Sequence, residues 1–284
     1  LVLTASGKFR KVVKKMERFV DNYRVINVWK MPKETLIASD DHPILCLNKK
    51  TNKSEWKFVS ELEKDDYVGV SYPNITKDVK TLSIMDFLDK SKYTVREGYI
   101  YKINKSKNHP KYSIQMKLIK SEVDIDSDLM KLFGYYLSEG DIDQNDSIRF
   151  TFHSEELAYM NDVITLMEKK FGITAKIKQS NSGNWANLRF FSRIVVQLFR
   201  SVIGEGFNKK KVPSWILELP VEKQKGLLVG IIRGDGFPTK NRHTTNIRAT
   251  LSNPNIVYSV WTIFARLGFL ATFKKNNLNK LSTT

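Results

Sequence analysis

The sequence predicts an α+β fold, and three observations lead to this prediction. Residues 1 to about 72 have the pattern of short strands separated by turns, the chain from about residue 126 alternates helices with strands, and a motif in this second part occurs twice. With 284 residues and 41% hydrophobic content, the chain is long enough for about two packed domains. We therefore expect an all-β block followed by a repeated mixed region.

The sequence predicts the cellular compartment, because it lacks a cysteine pair, a transmembrane segment and a signal peptide. Cys46 is the single cysteine and cannot form an internal disulfide, which suits a reducing environment. No apolar run approaches the roughly 18 residues that a transmembrane helix requires, and the first fifteen residues lack the apolar core of a signal peptide. We expect a soluble, cytoplasmic protein that acts as a monomer and does not contact a membrane.

The charge of the chain is large and unevenly distributed. Lysine and arginine number 47 against 30 aspartate and glutamate residues, for a formal net charge of +17. Residues 126–168 contain 2 basic and 10 acidic side chains, whereas residues 169–281 contain 20 basic and 4 acidic ones. Segregation of charge on this scale favours a polyanionic partner. Nucleic acid is the best candidate, because its phosphates attract clustered basic residues.

The N-terminal block is predicted to contain five strands, rich in β-branched and aromatic residues, at 23–30, 34–39, 42–47, 55–60 and 66–73. Cys46 lies within the third of these and is expected to be a small buried core residue. The stretch 90–120 has nine basic residues and one acidic residue, interleaved with tyrosines. We interpret residues 76–125 as a basic connecting module that either extends a nucleic-acid contact or completes the N-terminal fold.

The second part of the chain contains an internal repeat. LFGYYLSEG at 132–140 recurs as LVGIIRGDG at 228–236, so that Gly134 matches Gly230 and Glu139 matches Asp235 with an offset of 96. A strand pattern follows in both copies (SIRFTFH at 147–153, NIRATLS at 246–252), and then a helix that leads into a further strand (FGITAKIK at 171–178, LGFLATFK at 267–274). The first copy continues with a strand at 184–191 and a helix at 193–203, for which the second copy has no counterpart.

The repeated motif predicts two closely packed helices that each end in a carboxylate. Gly134 and Ser138 share one helix face, as do Gly230 and Gly234, and these small residues allow close approach. An acid at a helix C-terminus is electrostatically unfavourable unless a cation joins it. Hard oxygen ligands select Mg²⁺ or a similar ion, which would activate water and stabilise the departing oxygen in phosphodiester hydrolysis. The alternative is that both acids lie on exposed helix ends without a function.

These motifs resemble the paired signature of the LAGLIDADG, or DOD-type, homing endonucleases over about residues 126–284. The resemblance implies a pseudo-two-fold pair of αββαββα repeats, at 126–206 and 222–284 with the second incomplete, packed on the motif helices beneath a saddle of strands that lies along double-stranded DNA. It assigns Glu139 and Asp235 as the catalytic, metal-binding acids, with Mg²⁺ or Mn²⁺ as cofactor. The implied DNA-binding residues are Lys176, Lys178, Arg189, Arg242, Arg248, Lys274 and Lys275.

The chain departs from this family in the motif, where residue 139 is Glu in place of Asp and keeps the oxygen ligand on a longer arm, and at the end of the second strand of each repeat. Some members place a lysine where the second strand of each repeat ends, but this chain has His153 in one copy and Ser252 in the other. His153 either orients water or caps the following helix, and the cap is the stronger expectation.

The N-terminal block is similar to the Hint splicing fold of inteins, over SDDHPIL at 39–45 and EWKFVSELEKDDYVGVSYP at 55–73. The resemblance implies that Ser39 and His42 assist splicing by polarising the upstream scissile peptide bond, for which an imidazole is suited. The predicted organisation is a partial Hint domain at 1–75, the connecting module at 76–125 and the endonuclease domain at 126–284. Leu1 is no splicing nucleophile and the C-terminus lacks the Asn that cyclises, so we expect an intein truncated at both ends, unable to splice away from its host exteins as it stands.

Other functions have weaker support. DIDQND at 141–146 lacks the glycine and glutamate of a calcium loop, four scattered histidines give no zinc spacing, and no phosphate-binding loop of the GxxxxGK[ST] type is present. The main alternative is a catalytically inactive or maturase-like protein that grips nucleic acid without cutting it.

Overall fold

The computed structural model describes residues 2–28, 36–103, 118–179, 184–240, 245–269 and 271–273. Three predicted DNA-binding residues, Arg242, Lys274 and Lys275, lie outside these ranges. The chain groups into two compact units, Leu1–Ile75 with Val257–Thr284, and Thr76–Ile256. Within the described ranges, no helix combines the length and apolarity that crossing a membrane requires.

The first unit contains short antiparallel strands, most of them where the sequence predicts them. They form three small sheets, β1 with β2, β3 with β4, and β5 between β6 and β7. Their bounds are Val2–Leu3 (β1), Phe9–Arg10 (β2), Tyr23–Ile26 (β3), Leu36–Ser39 (β4), Pro43–Asn48 (β5), Lys53–Phe58 (β6) and Tyr67–Val68 (β7). Cys46 is buried, as predicted, whereas Ile37, Trp56 and Phe58 remain at least half exposed. These small sheets do not identify a splicing fold, which stays a prediction.

The segment between residues 76 and 125 is more regular than predicted. It contains five short strands, Thr81–Ser83 (β8), Tyr93–Arg96 (β9), Tyr99–Lys102 (β10), Ile119–Lys120 (β11) and Glu122–Asp124 (β12). Strands β9 and β10 form a hairpin in which Arg96 faces Tyr99. Its two turn residues, Glu97 and Gly98, have φ values of 48° and 79°, the positive values that a tight type I′ turn requires. The Glu-Gly pair is the turn signal that the sequence interpretation missed.

The first copy of the repeat has the order αββαββα in one continuous run. Its elements are Ser127–Glu139 (α1), Gly140–Asp143 (β13), Ser147–His153 (β14), Leu157–Phe171 (α2), Lys176–Gln179 (β15), Trp185–Phe191 (β16) and Arg193–Val202 (α3). Helix α1 begins where the Asp126 side chain accepts a hydrogen bond from Leu129 N at 2.9 Å, which satisfies a free backbone donor. The four strands form an antiparallel sheet in the order β13, β14, β16, β15.

Alternating residues give this sheet an apolar face and a polar face. Phe150, Leu188 and Phe190 point to the core and are fully buried. Their neighbours point the opposite way, so the register places Arg149 opposite Arg189, and Arg189 opposite Lys176, on the outer face. The polar face is therefore basic in its middle row.

The second copy is shorter within the described residues. It contains Val221–Asp235 (α4), Gly236–Lys240 (β17), Thr245–Ala249 (β18) and Pro254–Arg266 (α5). Strands β17 and β18 form a two-stranded hairpin, and Phe237 and Ile247 on this hairpin stay exposed. The strand predicted over ATFKK, 271–275, is not formed at 271–273, and residues 274 and 275 lie outside the described ranges.

Helices α1 and α4 pack closely through facing glycines. A Cβ atom built on Gly134 would overlap the carbonyl oxygen of Leu227 and lie 2.9 Å from the Cα of Gly230. The reciprocal Cβ on Gly230 would overlap the carbonyl of Lys131. Only glycine permits this approach at both positions, as the sequence predicted from the stripes of small residues.

Replacing Gly134 by Ala tests this contact. Alanine has the higher helix propensity by roughly 1 kcal/mol, but the overlap forces the helices apart, and overpacking costs about 1–3 kcal/mol. We expect a net loss of stability in urea denaturation. Asn161→Ala, on the exposed face of α2, is the control and should change the free energy of unfolding by less than about 0.5 kcal/mol. A more stable Gly134→Ala protein would contradict the packing.

Candidate functional site

The two motif acids lie at the C-terminal ends of the packed helices. Glu139 is the last residue of α1 and Asp235 the last of α4, and Gly140 and Gly236 follow them as extended C-caps. A Cβ on Gly234 would lie 3.0 Å from the Cγ of Glu139, so the end of α4 contacts the stem of the opposing acid. The close packing of the helices thus brings both carboxylates to one place.

Burial makes both carboxylates difficult to ionise. The pKa of Glu139 is raised to about 7, first by burial, then by the charge of Asp235 and then by that of Glu156. Burial also raises the pKa of Asp235. A cation that approaches would therefore stabilise the ionised form of both acids. The helix ends are not exposed, as the alternative expected, whereas a function for the two acids stays a prediction.

Lys210 is a buried cation beside these acids that the sequence analysis did not single out. Its side chain is largely buried, and its ammonium donates to the carbonyl oxygens of Tyr136 at 2.8 Å and Gly140 at 2.5 Å. These are the free acceptors at the end of α1, where a positive charge is favoured. Burial lowers the pKa of Lys210, while the charges of Asp141, Asp235 and Glu139 oppose that lowering.

A cavity of about 300 Å³ opens beside Asp235. Asp235, Asp141 and Lys210 line it, together with Ser252 and Asn253 from the turn after β18. The Asn253 amide fixes this wall, because it donates to the carbonyl oxygens of Phe207 at 2.9 Å and Lys210 at 2.8 Å. The cavity therefore combines acidic groups, a cation and backbone polar groups in one partly enclosed space.

A second polar cluster fixes the last turn of α4. Arg233 donates to Asp162 Oδ2 at 2.6 Å and to the Tyr135 hydroxyl at 3.2 Å, and Tyr135 donates to the same carboxylate oxygen at 3.0 Å. Lys131 pairs with the other oxygen of Asp162 at 2.9 Å. Because Arg233 lies two residues before Asp235, this cluster positions the helix end that carries the acid.

The polar face of the four-stranded sheet carries three of the predicted DNA-binding residues. Lys176 and Lys178 are exposed on the edge strand β15, and Arg189 is half-buried on β16. Arg149 on β14 lies beside Arg189 and was not predicted. Its signal was present, since the repeat aligns SIR at 147–149 with NIR at 246–248, and Arg248 was selected from the second copy.

Two other predicted positions have clear surroundings. Arg248 is exposed on β18 and faces Phe237, apart from the four-stranded sheet. His153 lies in the cap region of α2, where its backbone N–H donates to the Glu156 carboxylate at 2.8 Å and its Nδ1 accepts from Glu155 N at 3.4 Å. His153 therefore lies in the cap region, but the N-cap of α2 is Glu156 and no side-chain capping hydrogen bond is made there, so the expected cap by His153 is not formed.

Ser39 and His42 lie at the turn between β4 and β5. The Ser39 hydroxyl donates to Asp41 at 2.6 Å, and Arg18 donates to both oxygens of that carboxylate at 2.6 Å. These hydrogen bonds lower the pKa of Asp41 to about 2. The His42 N–H donates to the Ser39 carbonyl at 3.0 Å, which brings the backbones of the two predicted splicing residues together.

The acids at the helix ends fit a magnesium-type ion better than a metal that needs a full protein shell. No cluster of three or more His, Cys, Asp or Glu side chains able to hold a metal occurs in the part of the chain that the structure describes. Mg²⁺ is commonly bound through one or two carboxylates and completes its shell with water and phosphate oxygens. Glu139 and Asp235 supply such a donor set.

Comparison with known proteins agrees with this fold in the first repeat. Residues 126–204 match the family described as the LAGLIDADG-like domain. The match includes Glu139 and ends before Asp235.

The chain also has several longer relatives. It is 27% identical to the uncharacterized protein MJ0043 of Methanocaldococcus jannaschii over 97% of this chain and 35% of that protein. It is 21% identical to the ATP-dependent DNA helicase Hel308 of Thermococcus kodakarensis over 97% of this chain and 26% of that protein. The chain thus spans only about a quarter to a third of the length of these relatives. A crystal structure of an I-DmoI variant with its target DNA and 2 mM Mn is 15% identical, with a TM-score of 0.35, over 51% of this chain and 77% of that one.

The electrostatic contact between the two acids can be tested by titration. Replacing Asp235 with Asn removes a negative charge that raises the pKa of Glu139, so this pKa should fall from about 7 toward its ordinary value. Carboxyl-carbon NMR titration measures it. Glu156→Gln is the control and should lower the same pKa by less. An unchanged Glu139 pKa in Asp235→Asn would show that the two carboxylates do not interact.

Proposed function

We propose that this chain is a site-specific DNA endonuclease that makes double-strand breaks in a metal-dependent reaction. The single observation that carries the proposal is the placement of Glu139 and Asp235 at the converging ends of two close-packed helices, buried enough to raise both pKa values. The LAGLIDADG-like domain at 126–204 supports this assignment.

The basic outer face of the sheet supports double-stranded DNA as substrate. Its row of cationic side chains suits a duplex, whose phosphates attract lysine and arginine. Asp141 belongs both to this face and to the cavity that contains Asp235. A duplex held on the sheet would therefore approach the acids from the side on which the cavity opens.

The side chains of the site have separate roles in this proposal. Glu139 and Asp235 hold a Mg²⁺ or Mn²⁺ ion, which supplies the positive charge that phosphodiester hydrolysis requires. Lys210, fixed by the carbonyls at the end of α1, favours the ionised form of both acids and stabilises negative charge that develops on a nearby phosphate. Arg233 acts only by positioning the end of α4.

The second candidate is a protein that grips DNA without cutting it. It is favoured by the described part of the second copy, where β17 and β18 pair with each other in a two-stranded hairpin. A smaller second surface would weaken the hold on one half of a target. Binding and cleavage must therefore be measured separately.

We also infer that the endonuclease is attached to a partial intein splicing domain. Support comes from the Ser39 and His42 turn, with its Asp41 and Arg18 partners. Several apolar side chains of the first unit are exposed, among them Trp56 at 68% and Ile37 at 63%. Such surfaces suit strands that are completed by further polypeptide.

The cleavage test uses a supercoiled plasmid that carries the uninterrupted insertion site of the gene. The wild-type chain should linearise it in Mg²⁺ or Mn²⁺, and Glu139→Gln and Asp235→Asn should each reduce cleavage by at least about a hundredfold, since each removes a ligand that acts in the transition state. Both variants should still bind the plasmid in a gel-shift assay. Binding without cleavage by the wild type in either metal would establish the second candidate instead.

The splicing proposal is tested in a precursor that includes the flanking host sequence. His42→Ala should slow cleavage at the upstream junction by about 10²–10⁴-fold, the usual effect of losing acid–base assistance. Lys53→Ala, on the neighbouring strand β6, is the control and should process normally. Equal processing by wild type and His42→Ala, followed by gel electrophoresis, would contradict the assignment.

A further inference from the structure

The cations on the outer face of the four-stranded sheet are of two kinds. Lys176 and Lys178 on the edge strand are exposed and form no ion pair within the described ranges. Arg149 and Arg189, in the middle of the face, each pair with a carboxylate of β13. An unpaired lysine presents a net positive charge to DNA, whereas an arginine paired with a carboxylate presents hydrogen-bond donors and acceptors without net charge.

The Arg189 pair is the more constrained of the two. Arg189 Nη2 lies 2.9 Å from Asp143 Oδ2, although their strands β16 and β13 are separated by β14. The residue of β14 that faces Asp143 is the small, buried Ser147, which leaves room for the arginine to cross the strand. Arg189 Nε is itself buried and has no hydrogen-bond partner among the described residues. The guanidinium is therefore held in one orientation against the sheet.

The charge of the Arg189–Asp143 pair argues against a role in binding phosphate. The pair carries no net charge, so it releases few counterions and adds little to sequence-independent affinity. A phosphate that approached Arg189 would also lie beside the Asp143 carboxylate and be repelled by it. A neutral base edge is not subject to this repulsion.

The geometry points to a specificity role: the Arg189–Asp143 pair reads one G·C base pair in the major groove. This inference rests on the proposed function. The arginine donates to guanine O6 and N7, and the carboxylate accepts from the cytosine N4 amine, so one donor group and one acceptor match the two halves of a single base pair. Lys176 and Lys178 supply phosphate contacts that position the duplex without reading it.

The experiment selects duplexes from a random-sequence pool with the wild-type chain and with three sets of variants. In the double variant Arg189→Gln with Asp143→Asn, the net charge is unchanged while the donors and the acceptor are altered. We expect one position that is G·C in wild-type selections to lose its preference by about ten- to a hundredfold, with the same salt dependence of binding. Arg189→Lys keeps the charge and the fold but loses the bidentate donor, and it should lose the same preference.

The lysine variants are the matched control. Lys176→Gln and Lys178→Gln should each weaken binding to every sequence alike and reduce the slope of log affinity against log salt by about 1, while the selected sequence stays the same. Circular dichroism establishes that each variant is folded.

The possible outcomes separate the inference from the function on which it rests. If wild type selects a defined sequence and the Arg189 variants select the same one, the pair does not read DNA, while the endonuclease proposal stands. If the double variant loses affinity for all sequences alike, the pair is a backbone contact and the inference is overturned. If wild type selects no duplex at all, DNA binding itself fails and both proposals fall.

Discussion

The contact between Gly134 and Gly230 is the constraint on which the rest of this structure depends. The backbones of α1 and α4 meet at these two glycines, and the helices remain in contact as far as Gly234 and Glu139. The C-terminal ends of the two helices therefore lie side by side. The sequence places an acid there on each helix. The burial of both carboxylates, their raised pKa values and the adjoining cavity all follow from helix packing rather than from local sequence preference.

The charges at the C-terminal ends of α1 and α4 are not balanced. Two carboxylates lie at the negative ends of two helix dipoles, which is costly, and Lys210 offsets part of that cost through the free carbonyls of α1. Burial disfavours the charged forms of Glu139, Asp235 and Lys210 alike. Under the proposed function, a metal ion and a phosphate together would balance these charges.

The sequence predicted the features that depend on the spacing of the repeat, but it missed the inward-facing Lys210 and the Glu97–Gly98 hairpin. Gly134, Glu139 and their counterparts recur at a fixed interval, so helix packing and the position of the acids could be derived. Lys210 is one of three consecutive lysines, and sequence does not show which of them turns inward. The Glu97–Gly98 hairpin was missed because basic residues dominate the stretch 90–120 and obscure its turn signal. The second half could be predicted only as far as its elements repeat the first.

The cluster around Asp162 distinguishes the two copies. Arg233 fixes the end of α4 against the first copy, whereas its counterpart at the same offset in α1 is Leu137, which cannot form an ion pair. Asp162 belongs to the first copy and its arginine to the second, so this contact joins the two copies in one direction only. Exchanging the two motif segments would leave Asp162 facing a leucine in place of Arg233, and the two copies are therefore not interchangeable.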